Sequence, residues 1–385
     1  MNLLDIILAA AVVSALIGGY RVGFLARVAS WIGGLGGFLV ALRFLPAILR
    51  RAGEISSFGR LLITLAVLLL AAAVGGAVGE AIGSNLRRAV PPPARILDRT
   101  GGAVAGIAGI FLALWLFLPV AAQVPGAAAQ QVRNSTILQR LDDLTPKPPD
   151  ASQGIRSLVG DARFPDVFDD LRPSPDIGPP PGDIPVAAAV VARAVASTVN
   201  VESSGCGGLH EGSGFTVATD VVVTNAHVVA GGKRIRIRRP DGRLLPATIV
   251  YFDDNRDLAV LVVPGLGQQP LPIADAGEGT PGAVLGYPGG QNTVRVAPAI
   301  VRQDAPTVGR DIYGGERTRR QVLFLASNLR PGDSGAALIN GEGQVIGVAF
   351  AIAPDRPGTA FALDDSELRA ALAAPRRSGS GGPCI

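Results

Sequence analysis

The chain has 385 residues, of which 48% are hydrophobic and only 17% charged, and its mean hydropathy is +0.37. An average soluble domain carries about 25% charge, so neither a purely soluble protein nor a largely disordered one is expected. The net charge of +4 is unevenly placed: residues 1–122 hold ten Arg against Asp5, Glu54, Glu80 and Asp98, and the remainder is slightly acidic. Positive charge that travels with the apolar segment is a membrane pattern, so nucleic acid is not expected as a partner. Two Cys and two His (His210 and His227) exclude a cysteine-rich or histidine-rich metal centre, and no metal or cofactor is expected.

Four apolar stretches open the chain, at about Leu3–Gly19, Val28–Leu49, Leu61–Gly83 and Gly101–Ala122. Each approaches the ~20 residues with which a helix crosses a bilayer. Four in succession argue for membrane spans over buried core helices. A cleavable signal peptide fits poorly, because no basic residue precedes the first stretch. The connecting segments carry Arg21, then Arg50, Arg51 and Arg60, then Arg87, Arg88, Arg95 and Arg99. The excess on the first and third places those loops in the cytoplasm and both ends of the four-span region outside. Gly33-Gly34, Gly36-Gly37, Gly75-Gly76, Gly102, Gly106 and Gly109 let helices approach closely. Asp5, Arg43 and Glu80 are too few to argue for a transport path.

From Gln123 to Pro185 the composition turns Pro-rich, with amphipathic patches at Ile137–Leu144 and Ile155–Leu171. This reads as a tether carrying one or two short helices. It divides the chain into a four-span region (1–122), a linker (123–185) and a C-terminal domain (186–385).

The C-terminal domain begins with a short helix, Val186–Ala196. Twelve short β runs follow, from Thr198–Glu202 to Ala360–Leu363, among them Arg234–Arg238, Thr293–Val301 and Gln321–Ala326. Ile235 and Ile237 alternate with Arg, the period of a half-buried strand. Asp241-Gly242 and Asn340-Gly341 mark hairpins. About a dozen short strands indicate antiparallel barrels or a sandwich, closed by a helix at Asp365–Ala373 with Asp364 or Asp365 as its cap.

Three motifs in this domain carry chemistry: Thr224-Asn225-Ala226-His227-Val228-Val229, Asp253-Asp254-Asn255-Arg256-Asp257-Leu258-Ala259-Val260, and Arg330-Pro331-Gly332-Asp333-Ser334-Gly335-Ala336. A serine hydroxyl needs a base within hydrogen-bond reach, and His is suited by its pKa. The imidazole needs a carboxylate on its other nitrogen, and the developing oxyanion needs fixed donors. The motifs offer His227 as base, Asp257 as orienting carboxylate, Ser334 as nucleophile, and the N–H groups of Gly332 and Ser334 as an oxyanion hole. Asp253 and Asp254 are rival carboxylates that read as solvated. Asp333 reads as a turn or ion-pair residue.

TNAHVV, DLAVL and GDSGA in that order resemble the trypsin/chymotrypsin-like serine proteases, especially bacterial HtrA-like members. The resemblance implies two packed six-stranded β-barrels with the triad between them. HtrA proteases carry PDZ domains after the protease. Only 51 residues follow Ser334 here, and they are needed for the second barrel, so no PDZ domain is expected. The whole arrangement resembles the membrane-anchored periplasmic proteases of actinobacteria of the MarP (acid-resistance) type, which pair a colicin V production protein-like four-span region with a trypsin-like domain. That resemblance implies a protease of envelope proteins, active in acid or oxidative stress. It also implies a substrate pocket with Asn328 at its base and walls from Val348, Ala349, Phe350 and Ala360. Without an acidic base, the pocket is expected to prefer a neutral or apolar residue. Cys206 and Cys384 fit a disulfide on the outer side, and the linker is an expected site of self-cleavage. Two other readings stand beside the protease. One is a catalytically silent sensor or adaptor; the other is a transporter with an accessory domain.

Overall fold

The computed structural model describes residues 2–51, 57–123, 126–145, 171–206, 208–376 and 379–385. It divides into two compact units, Met1–Ala121 with Asn134–Gly160, and Ala122–Arg133 with Asp161–Ile385.

The first unit contains the four expected spans as helices α1 (Leu3–Val22), α2 (Phe24–Arg51), α3 (Ser57–Arg88) and α4 (Ala94–Gln123). Each is long and apolar enough to cross a membrane. Their outward faces carry Ile32, Leu69 and Leu97, which water would not favour and lipid does. α1 starts on a reciprocal cap, Asn2 bonding the Asp5 N–H while Asp5 bonds the Asn2 N–H. The Asp5 carboxylate also accepts from Ser135 Oγ (2.6 Å) and from the N–H groups of Thr136 and Ile137, at the start of a helix over Thr136–Leu144. A fully buried charge in the first span is thus answered by a helix N-terminus.

α1 and α2 are separated only by Gly23, at φ +88°. A Cβ there would lie 2.1 Å from Asp98 Oδ2. Asp98 in turn accepts from the Leu25 N–H and pairs with Arg87 at 2.8 Å. The Arg87 guanidinium also caps the carbonyls of Arg21 and Val22. α2 and α3 pack through their glycines, Gly33 against Gly75 and Gly37 against Ala71, as small-residue helix contacts do.

In the second unit a helix over Ala188–Ala196 leads, among the described residues, into twelve strands. β1 (Thr198–Gly205), β2 (Gly208–Ala218), β3 (Val221–Thr224), β4 (Gly232–Arg238), β5 (Leu244–Asp253) and β6 (Leu258–Val262) close an antiparallel barrel in the order β1-β2-β3-β6-β5-β4. β7 (Pro281–Gly286), β8 (Arg295–Arg310), β9 (Arg317–Ala326), β10 (Ala337–Asn340), β11 (Val345–Ile352) and β12 (Thr359–Asp364) close the second as β10-β11-β12-β9-β8-β7. The double six-stranded barrel is the expected fold.

β8 and β9 run well past their expected ends. Their register continues out to Arg310↔Arg317 through Arg319 and Arg320, whose charge reads as loop in a sequence. The Asp311 carboxylate closes the tip by accepting from the N–H groups of Tyr313, Gly315 and Glu316. A helix over Asp365–Ala373 follows β12, capped by Asp364.

Alternate residues of each strand fill different layers. Val199, Val201, Ile235 and Ile237 fill the first barrel, and Ala299, Leu323, Leu325 and Leu338 the second. Phe215, Val223 and Leu258 of the first join Leu285, Phe324 and Phe361 of the second in a layer between the barrels. The functional loops emerge along that layer. Leu171–Val186 lies on the same unit: Ser174 N and Oγ both donate to the buried Asp355 carboxylate at the loop after β11. Apart from Leu171, the amphipathic patch at Ile155–Leu171 is outside the described residues.

Candidate active site

His227 is placed by the end of β3. Four buried residues, Val221–Thr224, fix the strand, and Asn225 turns the chain into one helical turn, Ala226–Val229. Ala226, Val228 and Val229 are buried around it. Asp257 lies in the turn between β5 and β6, fully buried and at φ +59°. Asp tolerates that left-handed conformation better than most side chains. Asn225 Nδ2 donates to the Asp257 carbonyl (2.8 Å) and holds it there. The Asp257 carboxylate then binds His227 twice, at its backbone N–H (2.9 Å, to Oδ1) and at Nδ1 (2.7 Å, to Oδ2). A carboxylate on Nδ1 fixes the tautomer and leaves Nε2 as the basic nitrogen. Nε2 is buried and has no hydrogen-bond partner among the described residues.

The rival carboxylates have other partners: Asp254 accepts from the neighbouring Asn255 Nδ2 (3.3 Å). Asp253 accepts from Tyr251 Oη and from the Arg256 N–H. Arg320 supports the turn from below: its buried guanidinium bonds the carbonyls of Asn255 and Arg310 and lies over the Phe350 ring.

Ser334 sits in the loop between β9 and β10. Gly332 is at φ +98°, and a Cβ on it would lie 2.6 Å from the Tyr287 carbonyl oxygen. Gly335 is at φ +84°, with a Cβ position 2.1 Å from the Ser213 carbonyl oxygen and 3.1 Å from Asn225 N. The loop is therefore pressed against the residues just before His227, and only glycine fits at either close approach. Within it, Asp333 N–H bonds the Arg330 carbonyl and Gly335 N–H bonds the Ala349 carbonyl. The N–H groups of Gly332 and Ser334 have no partner among the described residues. His227 and Ser334 are brought to the same end of β3, but their side chains are not hydrogen-bonded to each other. Such bonds commonly tighten only with substrate in place.

Asp333 is buried, and Arg295 reaches it (3.4 Å) while bonding the Asn328 carbonyl (2.9 Å). Burial pushes the Asp333 carboxyl up to about 6, against the pull of Arg295 and of the hydrogen bond from Arg330 N–H. Among the expected pocket residues, Asn328 is exposed and lies beside Gly358, and Ala349 and Ala360 share one cluster. Val348 and Phe350 alternate with Ala349 on β11, so their side chains join the layer between the barrels instead. Cys206 and Cys384 form a disulfide. The sequence reading missed Ser213, Asn225, Arg295 and Arg320. Asn225 stands two residues before the histidine and Ser213 lies between glycines; Arg295 stands among apolar residues of β8 and Arg320 in an arginine-rich run of β9 (Arg317, Arg319, Arg320), and neither gives a local signal.

Two β-barrels carrying these loops, preceded in the chain by four apolar helices, define a membrane-anchored trypsin-like serine endopeptidase. The family model of the trypsin-like peptidase domain matches residues 212–348, and that of the colicin V production protein matches residues 4–146. The chain is 32% identical to the serine protease Rv3671c of Mycobacterium tuberculosis, over 96% of this chain and 95% of that one. The solved structure of the Rv3671c protease in its active form is 36% identical and superposes with a TM-score of 0.53, covering 57% of this chain and 99% of that one. The putative serine protease HhoA of Synechocystis is 32% identical over 42% of this chain and 41% of its own. The chain belongs to the Rv3671c (MarP-type) family of multi-pass membrane serine proteases.

Proposed function

We propose that His227, Asp257 and Ser334 form the triad of this endopeptidase, with the Gly332 and Ser334 N–H groups as oxyanion donors. The observation that carries the reading is the doubly bonded His227–Asp257 pair with Nε2 left open. Nε2 takes the Ser334 proton as Oγ attacks the scissile carbonyl, and Asp257 stabilises the resulting imidazolium. The tetrahedral oxygen is held by the two N–H groups, which have no other partner among the described residues. Nε2 then passes the proton to the departing amine, and water repeats the sequence to release the acyl group.

In this reading residues 1–122 anchor the protein, 123–185 link, and 186–385 cleave. Asn328 and Ala360 border a pocket for a neutral side chain. An even number of spans puts the protease on the side of the N-terminus, and the Arg distribution makes that side extracytoplasmic. Substrates are then envelope proteins, and the linker is a substrate in cis. A role in acid or oxidative stress follows from the family likeness.

One experiment tests nucleophile, side and self-cleavage. Spheroplasts bearing wild-type protein or Ser334→Ala are treated with a membrane-impermeant fluorophosphonate before and after lysis, then run on one gel. Labelling of intact wild type alone, with a shortened chain that Ser334→Ala lacks, is expected. Labelling only after lysis would reverse the topology. Equal labelling of Ser334→Ala would end the triad assignment.

A further inference from the structure

We propose that Ser213 is the positioning residue of the oxyanion loop, its hydroxyl locking the peptide that follows Gly332 to the turn over Tyr287–Gly290. The proposal rests on the reading of Gly332 and Ser334 as oxyanion donors.

Ser213 lies on β2, fully buried, and reaches three other elements. Its N–H donates to the Ser334 carbonyl (2.7 Å), and its own carbonyl accepts from Thr224 Oγ1 (2.7 Å), three residues before His227. Its Oγ accepts from the Tyr287 N–H (2.8 Å) and donates to the Gly332 carbonyl (2.7 Å). A hydroxyl has a single proton. Because the Tyr287 N–H supplies a proton of its own, the Ser213 proton is committed to Gly332. The direction of this bond is fixed.

The consequence lies in the peptides. The carbonyls of Pro331, Gly332, Asp333 and Ser334 accept in turn from Gly289 N, Ser213 Oγ, Ala336 N and Ser213 N. Each peptide is planar, so holding its oxygen also aims its N–H. Three of the four oxygens are held by backbone, which no substitution of a side chain removes. The fourth, on Gly332, is held by one side chain; its peptide, whose Asp333 N–H bonds the Arg330 carbonyl, joins the two peptides that carry the donor N–H groups and so sets their relative orientation. Gly332 is also the residue whose lack of a Cβ leaves either orientation of its flanking peptides open. The Ser213 hydroxyl selects one of them. It couples the Tyr287–Gly290 turn to the loop as well, since that turn bonds both Ser213 Oγ and the Pro331 carbonyl.

The test uses the full-length protein in detergent, as wild type, Ser213→Ala, Ser213→Cys and Ser334→Ala. It compares hydrolysis of a p-nitrophenyl ester with the affinities of a peptide aldehyde and of the matching peptide alcohol. The aldehyde forms an oxyanion on the nucleophile and the alcohol does not. For Ser213→Ala, kcat is expected to fall at least about tenfold and at most about 10²- to 10³-fold, the loss of one whole oxyanion donor, with KM changed less than about threefold. Aldehyde affinity falls in parallel and alcohol affinity stays. A merely structural role would lower both affinities, or neither. Ser213→Cys, with a weaker donor in nearly the same volume, is expected to fall between the two and decides the matter if Ser213→Ala does not fold. Unchanged kcat in Ser213→Cys or Ser213→Ala, or lost kcat with unchanged aldehyde affinity, would overturn the proposal. Ester hydrolysis surviving in Ser334→Ala would instead overturn the triad beneath it.

Discussion

Asp333 shows how one residue can serve the proposed oxyanion loop without touching the chemistry. Its carboxylate is nearly sealed from water, while its partner Arg295 is about a quarter exposed, so desolvation outweighs the ion pair and the carboxyl rises from 3.8 to about 6. The sign follows from linkage. The native carboxyl binds a proton more readily than the unfolded one, so the stability conferred by protonation is full below pH 3.8 and is lost as pH rises through 6. Asp333→Asn cannot titrate. Wild type is therefore expected to lose on the order of 3 kcal/mol relative to Asp333→Asn between pH 4 and 7. Urea denaturation across that range checks it, and parallel stability curves would refute it. At this scale the sequence offers candidates where chemistry demands a residue type in a fixed local frame: His227, Asp257 and Ser334, the proposed triad, each stand in a readable motif, and the structure pairs the first two. Arg295 and Arg320 were not legible, because a charge buried by distant strands looks the same in sequence as a charge in water.

At the scale of elements, periodicity and turn chemistry carried most of the information. All twelve strands and the closing helix lie where alternation, hairpin signals and the acidic cap place them. The failures are at ends, and they share a cause. β8 and β9 extend as a two-stranded ribbon beyond the core, where burial no longer imposes an apolar pattern. The membrane helices invert the problem, being apolar on every side. What decides their pairing is the position of glycine. A Cβ on Gly75 would lie 2.2 Å from the Gly33 carbonyl oxygen, and one on Gly33 equally close to that of Gly75, while Gly36 has nothing within 4 Å. Gly75→Ala is expected to force α2 and α3 apart and cost about 1–3 kcal/mol. Gly36→Ala, one turn from the contact, is expected to be neutral or slightly stabilising. Thermal denaturation of the two variants in detergent separates them, and equal melting temperatures would mean that the glycine contact does not hold the pair.

Over the whole molecule, one covalent bond does what local motifs do not, tying the last residues of the chain to the first barrel. Cys206, at the end of β1, bonds Cys384 across 178 residues. Between them sits Gly231, four residues after His227, where a Cβ would lie 2.3 Å from Cys206 Sγ. The tail is bound along its course, Gly379 N–H to the Ile249 carbonyl and the Gly381 carbonyl to Gly231 N–H, and Tyr313 Oη reaches the Pro383 carbonyl. The bridge thus fastens the tail beside the exit of the turn that carries His227, the proposed base. Chain entropy for a loop of this length gives at most about 5 kcal/mol, a large share of the 5–15 kcal/mol typical of a domain. Cys206→Ser combined with Cys384→Ser is therefore expected to lower the melting temperature of the protease by about 10–20 °C at the size of this domain. Thiol reductant should bring the wild type to the same value and leave the double variant unmoved. If the bridge also governs His227, ester hydrolysis well below both melting temperatures falls in step with reduction. Activity that holds constant there while stability drops would confine the disulfide to fastening the tail.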